Sequence, residues 1–172
     1  MKSNEVLLDA FTRIHETVAA TLDGAETESL TLRPGGHGNS VAWLVWHLSR
    51  VEDVQVAAAA GREPVWTSQG FAKRFDLPLN ERDTGYGHST GQVDAVKASP
   101  EALLAYYDAV HQQTVGFLTT LGDDDFDRIV DEGWDPPVTL GVRLVSTIAD
   151  CLQHVGQAAY VLGLNSAPTT GE

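Results

Sequence analysis

Three residues in two distant segments could together bind a metal ion. His47 lies within residues 41–53, and Asp150 and His154 stand four residues apart within residues 150–157. Both segments are predicted to be helix interiors, and neither contains proline. Because residues four apart share one helical face, Asp150 and His154 can offer a carboxylate oxygen and an imidazole nitrogen to one ion. With His47 from a neighbouring helix, they would form a site of two histidines and one carboxylate that keeps a coordination position open.

His47 also fits an ordinary position in a protein core. On a helix it shares a stripe with four apolar residues: Trp43, Val51, Val54 and Ala58. A single imidazole on such a stripe is more often a hydrogen-bonded core residue than a metal ligand. Spacing alone therefore leaves core packing and metal binding open for His47.

The orientation of the last helix is open in the same way. An apolar stripe lies roughly opposite Asp150 and His154: Val145, Ile148, Leu152, Val155, Ala159 and Leu162. If only that stripe were buried, Asp150 and His154 would face solvent. The helix is apolar around most of its circumference, however, which predicts that it is covered on more than one side.

Composition restricts the class of protein and the class of partner. A chain of 172 residues is long enough for one domain with a substantial core. Its 11 basic and 24 acidic residues give a net charge of −13, which repels phosphate backbones and argues against nucleic-acid binding. No apolar run approaches the roughly 18 residues of a membrane span, and the N-terminus does not resemble a signal peptide. We therefore expect a cytoplasmic protein that does not contact membranes.

The single cysteine is predicted to be a packing residue. Cys151 excludes an internal disulfide and suits a reducing cytoplasm. It lies in an apolar helix beside Asp150, where a thiol stays protonated and unreactive. We therefore do not expect a protein nucleophile at this position.

Hydrophobic periodicity predicts an all-α protein built from four long helices. They begin and end near residues 4–22, 40–60, 100–121 and 135–162. Residues 61–99 show little periodicity and form a crossover long enough to run along a bundle. No strand is predicted. We expect a single four-helix bundle over residues 1–164, with a long crossover between helices 2 and 3, and a flexible tail over residues 165–172.

Other chemically capable groups carry weaker signals. His37 precedes the second predicted helix and is a reserve ligand, and His111 lies on a flank of the third. The crossover contains four aromatic residues that are predicted to pack over an edge of the core, either lining a pocket or anchoring the loop: Trp66, Phe71, Phe75 and Tyr86. The acidic run at residues 123–127 lacks the alternating spacing of a calcium loop and is predicted to be solvated surface.

Two motifs resemble the DinB superfamily of four-helix metalloproteins. They are Asn-Ser-Val-Ala-Trp-Leu-Val-Trp-His-Leu at residues 39–48 and Asp-x-x-x-His-x-Gly-Gln at residues 150–157. The sequence from His154 to Gly163 is similar in particular to the branch that contains mycothiol-dependent enzymes. The resemblance covers essentially the whole chain in helix order, crossover and length.

The resemblance implies a fold, a metal site and an assembly. It implies an up-down-down-up bundle, a homodimer and a divalent metal ion, with Zn²⁺ preferred, held by His47, Asp150 and His154. It also favours placing Asp150 and His154 towards the bundle interior. Histidine or glutamate is more usual at the position of Asp150, so the shorter aspartate could make the site looser.

The resemblance further implies an S-transferase that joins a low-molecular-weight thiol to a small electrophile. Mycothiol is the preferred thiol, and the metal ligands are the only residues expected to take part. A thiol-dependent isomerase and a metal-dependent hydrolase remain alternatives on the same fold. A non-catalytic, metal-binding stress-response protein is a further alternative.

Overall fold

Four long helices form a bundle in the computed structural model, which describes residues 1–166. They are α1 (Ser3–Leu22), α3 (Val41–Ala60), α7 (Pro100–Leu118) and α8 (Leu140–Ser166). α1 and α3 each pack against both α7 and α8, and their apolar faces form a common core. The predicted all-α four-helix bundle is confirmed.

Side-chain contacts give the relative directions of neighbouring helices. Asn4 at the start of α1 donates to the carbonyl oxygen of Leu118 at the end of α7, so these two helices are antiparallel. Arg143 near the start of α8 donates to Gln55 near the end of α3, so this pair is antiparallel too.

α1 and α8 run in the same direction. Val6 and Val145 line one groove, near the starts of both helices. Thr17 and Leu162 line another, near their ends. With α3 antiparallel to α8 and α7 antiparallel to α1, the order along the chain is up, down, down, up. The predicted topology is therefore present, and the crossover connects two parallel helices.

The helix that carries His47 begins and ends where the sequence predicts. The Ser40 hydroxyl accepts a hydrogen bond from the backbone N–H of Trp43 at 3.2 Å and caps the N-terminus of α3. Gly61 ends α3 with a φ of 64°, a left-handed conformation that glycine adopts without a Cβ penalty. α2 (Thr27–Thr31) packs against α3 as well, which helps to bury it.

The crossover contains three short helices, α4 (Val65–Ser68), α5 (Phe71–Phe75) and α6 (Thr90–Ala95). Trp66 and Phe71 are buried in the core, where they anchor α4 and α5. Phe75 packs against Trp66, at the edge of the core. Tyr86 is almost fully exposed, so its predicted packing is wrong.

The connection between α7 and α8 differs from the prediction. α7 ends at Leu118, three residues before the predicted end near residue 121. β1 (Ile129–Asp131) then pairs with β2 (Val138–Thr139) in an antiparallel ribbon, although no strand was predicted. α8 consequently begins at Leu140, not near residue 135. β-branched residues favour these strands, but segments of two and three residues are too short to show a periodicity.

The last helix is longer than predicted. α8 continues through Gly163 to Ser166. The Asn165 side chain donates to the carbonyl oxygens of Ser29 and Leu32, which attaches its final turn to the region of α2. The first two residues of the predicted tail are therefore helical, and residues 167–172 lie outside the described part of the chain.

The buried face of α8 is not the apolar stripe opposite Asp150 and His154, with which it shares only Val155. Val145 and Leu152 from that stripe are about half exposed. The buried residues lie on a neighbouring face: Leu140, Leu144, Thr147, Cys151, Val155, Ala158 and Val161. Asp150 and His154 border this face and are half-buried. Because α8 is apolar on most sides, hydrophobic periodicity could not select the face that packs.

A carboxyl group lies at the centre of the core. Glu52 of α3 is fully buried and accepts hydrogen bonds from the hydroxyl groups of Tyr107 at 2.8 Å and Thr114 at 2.7 Å. Burial raises the pKa of Glu52 from 4.5 to about 7, because the interior disfavours the charged form more than the two hydrogen bonds favour it.

A second buried carboxylate, Asp53, holds the crossover. It accepts the backbone N–H groups of Val65 at 2.7 Å and Trp66 at 2.8 Å, at the start of α4. The hydroxyl group of Tyr106 and the guanidinium of Arg50 also donate to it. Since α7 supplies Tyr106, this network joins α3, α7 and the crossover.

The helices do not have the character of a membrane span. Within residues 1–166, no helix combines the length and the apolar composition that crossing a bilayer requires.

Candidate metal centre

The structure brings His47, Asp150 and His154 together where α3 packs against α8. Each residue offers one ligand atom, and the three atoms lie within 4.8 Å of one another. The imidazole rings of His47 and His154 meet edge to face, with their centroids 4.6 Å apart. Ligand atoms about 2.1 Å from one ion lie about 3.4 Å apart, so small side-chain movements would suffice for coordination.

A hydrogen bond from the crossover orients His47. Its Nδ1 atom donates to the backbone carbonyl oxygen of Thr84, and its ring stacks on Trp43 with centroids 4.6 Å apart. A donating Nδ1 leaves the lone pair on Nε2, which is the tautomer that a metal ligand needs. The buried His47 is therefore both packed and prepared for ligation, which combines the two readings that the sequence left open.

Asp150 and His154 form the other half of the cluster. His154 Nδ1 lies 3.2 Å from the Gln157 side-chain oxygen, and His154 Nε2 lies 3.6 Å from Asp150 Oδ1. The second carboxylate oxygen, Asp150 Oδ2, is buried and has no hydrogen-bond partner in residues 1–166. A buried carboxylate oxygen without a donor is costly, and a cation would supply the missing interaction. The donor set therefore fits a divalent ion.

The protonation states favoured by the site agree with this reading. Burial lowers the pKa of His47, which keeps its imidazole neutral. The neighbouring His154 lowers the pKa of Asp150, and Asp150 in turn raises the pKa of His154. A neutral imidazole and an ionised carboxylate are the forms that bind metals, whereas His154 would have to release its proton on ligation.

Gly85 allows the crossover to approach His47. A Cβ atom at this position would lie 2.5 Å from His47 Nδ1 and 3.0 Å from Trp43 Cζ2. Its φ of +100° is also unfavourable for any residue with a side chain. Only glycine therefore lets the Thr84 carbonyl oxygen reach the imidazole without displacing it.

Arg50 fixes the segment that holds this carbonyl. The buried guanidinium donates to the backbone oxygens of Asp83 at 3.1 Å and Glu81 at 3.4 Å. Arg50 lies one helical turn from His47 on α3, so the same helix supplies the candidate ligand and the anchor of the loop that orients it.

Sequence reasoning did not identify His88 as part of this region. The indole N–H of Trp43 donates to His88 Nδ1 at 3.2 Å, and the His88 ring stacks on Trp46. His88 thus extends the aromatic layer behind His47. It lies in a segment without periodicity, where no sequence signal indicates which residues turn inwards.

The other histidines lie outside the cluster. His37, the reserve ligand, is exposed next to the turn that precedes α3. His111 stacks on His15, with centroids 4.5 Å apart, at the contact between α1 and α7. Burial lowers the pKa of His111 to about 4, so it stays neutral. The metal-ligand cluster found in residues 1–166 contains neither of them.

Cys151 has the properties predicted for a packing residue. It is fully buried, and its thiol lies 3.6 Å from the carbonyl oxygen of Leu48. Burial raises the pKa of the Cys151 thiol well above its usual value, so no thiolate forms near neutral pH.

Comparison with known families places the fold. The sequence profile of the DinB superfamily matches residues 10–158. The chain belongs to the DinB superfamily. The crystal structure of a protein from Enterococcus faecalis, described only as a conserved protein, is similar to this chain, with a TM-score of 0.88 at 32% identity. The match covers 95% of this chain and 97% of that one. No curated protein matches the sequence.

Membership of the DinB superfamily confirms the resemblance that the two motifs indicated. Together with the triad, it fits a metal-dependent protein. The descriptions of the family and of the Enterococcus faecalis structure mention neither mycothiol nor a transferase, so that branch remains a prediction.

Proposed function

We propose that the protein is a metal-dependent S-transferase that joins the sulfur of a low-molecular-weight thiol to a small electrophile. The supporting observation is the convergence of three ligand atoms, from His47, Asp150 and His154, within 4.8 Å. Three protein ligands are the usual number in catalytic sites, which keep a further position for substrate. That position is where the thiol would enter.

The three residues would hold a divalent ion, with Zn²⁺ preferred. When bound, such an ion lowers the pKa of a thiol and so supplies a thiolate at neutral pH. His47 and His154 contribute neutral imidazoles, and Asp150 contributes the negative charge. Imidazole and carboxylate ligands also accept other divalent metals, so the preference for zinc rests on the chemistry of the thiol.

The groups around the candidate ligands position a ligand or stay inert, and none of them needs to react. The stacked Trp43 and the Thr84 carbonyl oxygen hold the His47 ring in place. The buried Cys151 is protonated and does not compete with an external thiol. Placing a thiolate in a fixed position next to an electrophile converts a bimolecular reaction into an effectively unimolecular one.

Mycothiol is the proposed thiol. The alanine-rich, lysine-poor composition is compatible with an actinobacterial source, where mycothiol is the expected low-molecular-weight thiol. The proposal for the reaction does not depend on this choice, because the same site could hold another thiol of similar size.

Metal content tests the site directly. We expect near one equivalent of metal in the untagged wild-type protein and less than a tenth of that in the double variant His47→Ala, His154→Ala. His37→Ala is the matched control, since it removes an exposed histidine outside the cluster. Failure of the wild type to bind added zinc would contradict the metal site.

Turnover tests the reaction. Wild-type protein with metal should consume mycothiol in the presence of a generic electrophile such as monochlorobimane, and His154→Ala should lose the activity. Stoichiometric metal without turnover of any thiol would contradict the transferase and favour a non-catalytic metal-binding protein. Isomerisation without net consumption of thiol, or hydrolysis without thiol, would favour the other two reactions on this fold.

A further inference from the structure

Trp43 of α3 contacts both of the candidate histidine ligands. Its indole stacks on the His47 ring, with centroids 4.6 Å and planes 15° apart. It meets the His154 ring edge to face, with centroids 6.3 Å apart and planes at 87°. Because one side chain touches both imidazoles, the position of this indole restricts the ring orientations of both ligands.

A single hydrogen bond fixes the rotation of the Trp43 indole. Its N–H group donates to His88 Nδ1 at 3.2 Å. An indole has no other polar group, so this is its one directional contact. A half-turn about the Cβ–Cγ bond would keep a ring beside His47 but would carry the N–H group away from His88. His88 therefore decides which of the two ring orientations Trp43 adopts.

His88 is itself held firmly. Its side chain is 4% exposed and stacks on Trp46, with centroids 5.7 Å apart. Its backbone N–H donates to the carbonyl oxygen of Gly85 at 3.2 Å. Four residues earlier in the same loop, the Thr84 carbonyl oxygen accepts from His47. The loop thus contacts the site twice, once directly at His47 and once through Trp43.

The tautomer of His88 follows from its partners. Since an indole can only donate, His88 Nδ1 accepts, and the neutral ring carries its proton on Nε2. His88 Nε2 has no hydrogen-bond partner among the described residues and lies 3.6 Å from Asp83 Oδ2. This distance is too long for a hydrogen bond, but a carboxylate attracts the Nε2 proton. Asp83 therefore favours the tautomer that accepts from Trp43.

We propose that His88 is a positioning residue of the metal centre, which holds the Trp43 indole against His47 and His154 and so keeps both imidazoles oriented for one ion. His88 is not a ligand, because the cluster in residues 1–166 consists of His47, Asp150 and His154. The inference rests on the metal site of the proposed function but not on thiol transfer.

NMR of metal-free protein tests the hydrogen bond. In uniformly ¹⁵N-labelled wild type at pH 8, scalar coupling across the N–H···N bond should link Trp43 Nε1 to His88 Nδ1. The ¹⁵N shift of His88 Nδ1 should be that of an unprotonated ring nitrogen. Trp43→Phe removes one of the four indole signals and assigns it. Absence of the coupling, or a protonated His88 Nδ1, would overturn the proposal.

Co²⁺ added to the metal-free protein tests the positioning. His88→Phe keeps a ring that stacks on Trp46 but removes the acceptor. Direct partners of metal-binding histidines contribute about 10–100-fold to affinity, and His88 acts through Trp43, so we expect a loss of roughly three- to ten-fold. Competition with a chelator measures this loss. The visible absorption bands of bound Co²⁺ should also shift, because they report the ligand geometry, which a mere loss of stability would not change.

Two further variants make the result specific. His88→Asn should restore the wild-type bands and an affinity within about two-fold of wild type, since its amide oxygen can replace Nδ1 as acceptor. His111→Phe is the matched control, because it makes the same change at a half-buried histidine that stacks on His15, outside the cluster. It should leave both the affinity and the bands unchanged.

The outcomes separate this proposal from thiol transfer. Wild-type affinity and wild-type bands in His88→Phe would show that His88 only packs, and would overturn the proposal. If His88→Phe does not fold, the coupling in the wild type still decides whether His88 holds Trp43. A wild type that shows the coupling and the expected effects on Co²⁺ binding, but turns over no thiol, would contradict the transferase alone and support the positioning role.

Discussion

The tautomer of His47 depends on one backbone carbonyl. The Thr84 carbonyl oxygen accepts a hydrogen bond from His47 Nδ1, which leaves the lone pair of His47 Nε2 available to a metal ion. Asp150, whose Oδ2 atom has no hydrogen-bond partner among the described residues, belongs to the same cluster. Partners that orient a metal-binding histidine affect metal affinity by roughly 10–100-fold when they are changed. At the scale of single residues, the site therefore includes the groups that orient the ligands as well as the ligands themselves.

Gly85→Ala should weaken metal binding at least ten-fold. The new methyl group would lie 2.5 Å from His47 Nδ1, so either the imidazole or the Thr84 carbonyl must move. Competition with a chelator of known affinity measures the effect. Gly87→Ala is the matched control, since Gly87 also has a positive φ, of +71°, but no atom within 4 Å of the added Cβ. An equal loss of metal affinity in both variants would show that backbone strain, and not the contact with His47, is responsible.

Glu52 should make folding stability depend on pH. Its pKa is 4.5 when unfolded and about 7 when folded, so the folded state binds the proton more tightly. The stabilisation is complete below pH 4.5 and is lost as the pH rises to about 7. At 1.4 kcal/mol per pKa unit, the loss amounts to about 3 kcal/mol.

Glu52→Gln tests this dependence because glutamine resembles the protonated acid. Its free energy of unfolding, measured by urea titration, should fall by about 2.5 kcal/mol less than that of the wild type between pH 5 and pH 8. Glu63→Gln, which changes an exposed glutamate, should retain the wild-type slope. If the free energy of unfolding depended on pH in the same way in the wild type and in Glu52→Gln, the raised pKa of Glu52 would be contradicted.

At the scale of elements, α3 holds the crossover against the site. Asp53 accepts the first N–H groups of α4, and Arg50 donates to the carbonyl oxygens of Glu81 and Asp83. Arg50 and Asp53 of α3, the helix that carries His47, thus hold in place the loop that contacts His47.

Arg50→Lys should loosen this loop without removing the positive charge. Lysine lacks the planar fork that reaches several acceptors at once. We expect faster amide hydrogen exchange over residues 81–88 and metal affinity lowered by roughly ten-fold, as for other groups that orient ligands.

Arg143→Lys is the control for Arg50→Lys. Arg143 lies near the start of α8, away from residues 81–88, and donates hydrogen bonds to the side chains of Gln55 and Asp131. This variant should lose stability but keep the exchange rates of residues 81–88 and the metal affinity. Unchanged exchange in Arg50→Lys would contradict the anchoring role.

At the scale of the whole molecule, α8 has an apolar face that the bundle does not cover. Large residues on this face are exposed: Val142, Val145, Leu152 and Tyr160. The small exposed residues Ala149 and Gly156 lie between them and would let a second helix approach closely. A face of this kind can pair with itself about a two-fold axis. The homodimer nevertheless stays a prediction.

Leu152→Glu should convert a dimer into a monomer. Two copies would place this side chain in the contact between their α8 helices, where a buried charge is unfavourable. Leu32→Glu is matched in chemistry and in exposure, since both leucines are 48% exposed, but lies on another surface. Light scattering after size-exclusion chromatography should give the mass of a dimer for the wild type and for Leu32→Glu, and the mass of a monomer for Leu152→Glu. A monomeric wild type at 100 µM would contradict the homodimer.

The sequence by itself determined the bundle and the residues of its candidate site. Strong local signals marked the helices, such as the Ser40 cap and the Gly61 stop of α3. The four-residue spacing of Asp150 and His154 placed both on one face, and His47 on a second predicted helix was the candidate third ligand, which the DinB-like motifs then supported. Caps and spacings act within a few residues, so they can be read without a tertiary structure.

Only the tertiary structure decided which face of α8 is buried and how the crossover completes the site. The apolar residues of α8 surround the helix, and packing against α1 and α3 selected the face with Thr147 and Cys151. Thr84, Gly85, His88 and Arg50 are brought to the region of His47 through contacts between residues that are up to 45 positions apart. Such contacts leave no period in the sequence, because they depend on where the whole bundle places the loop.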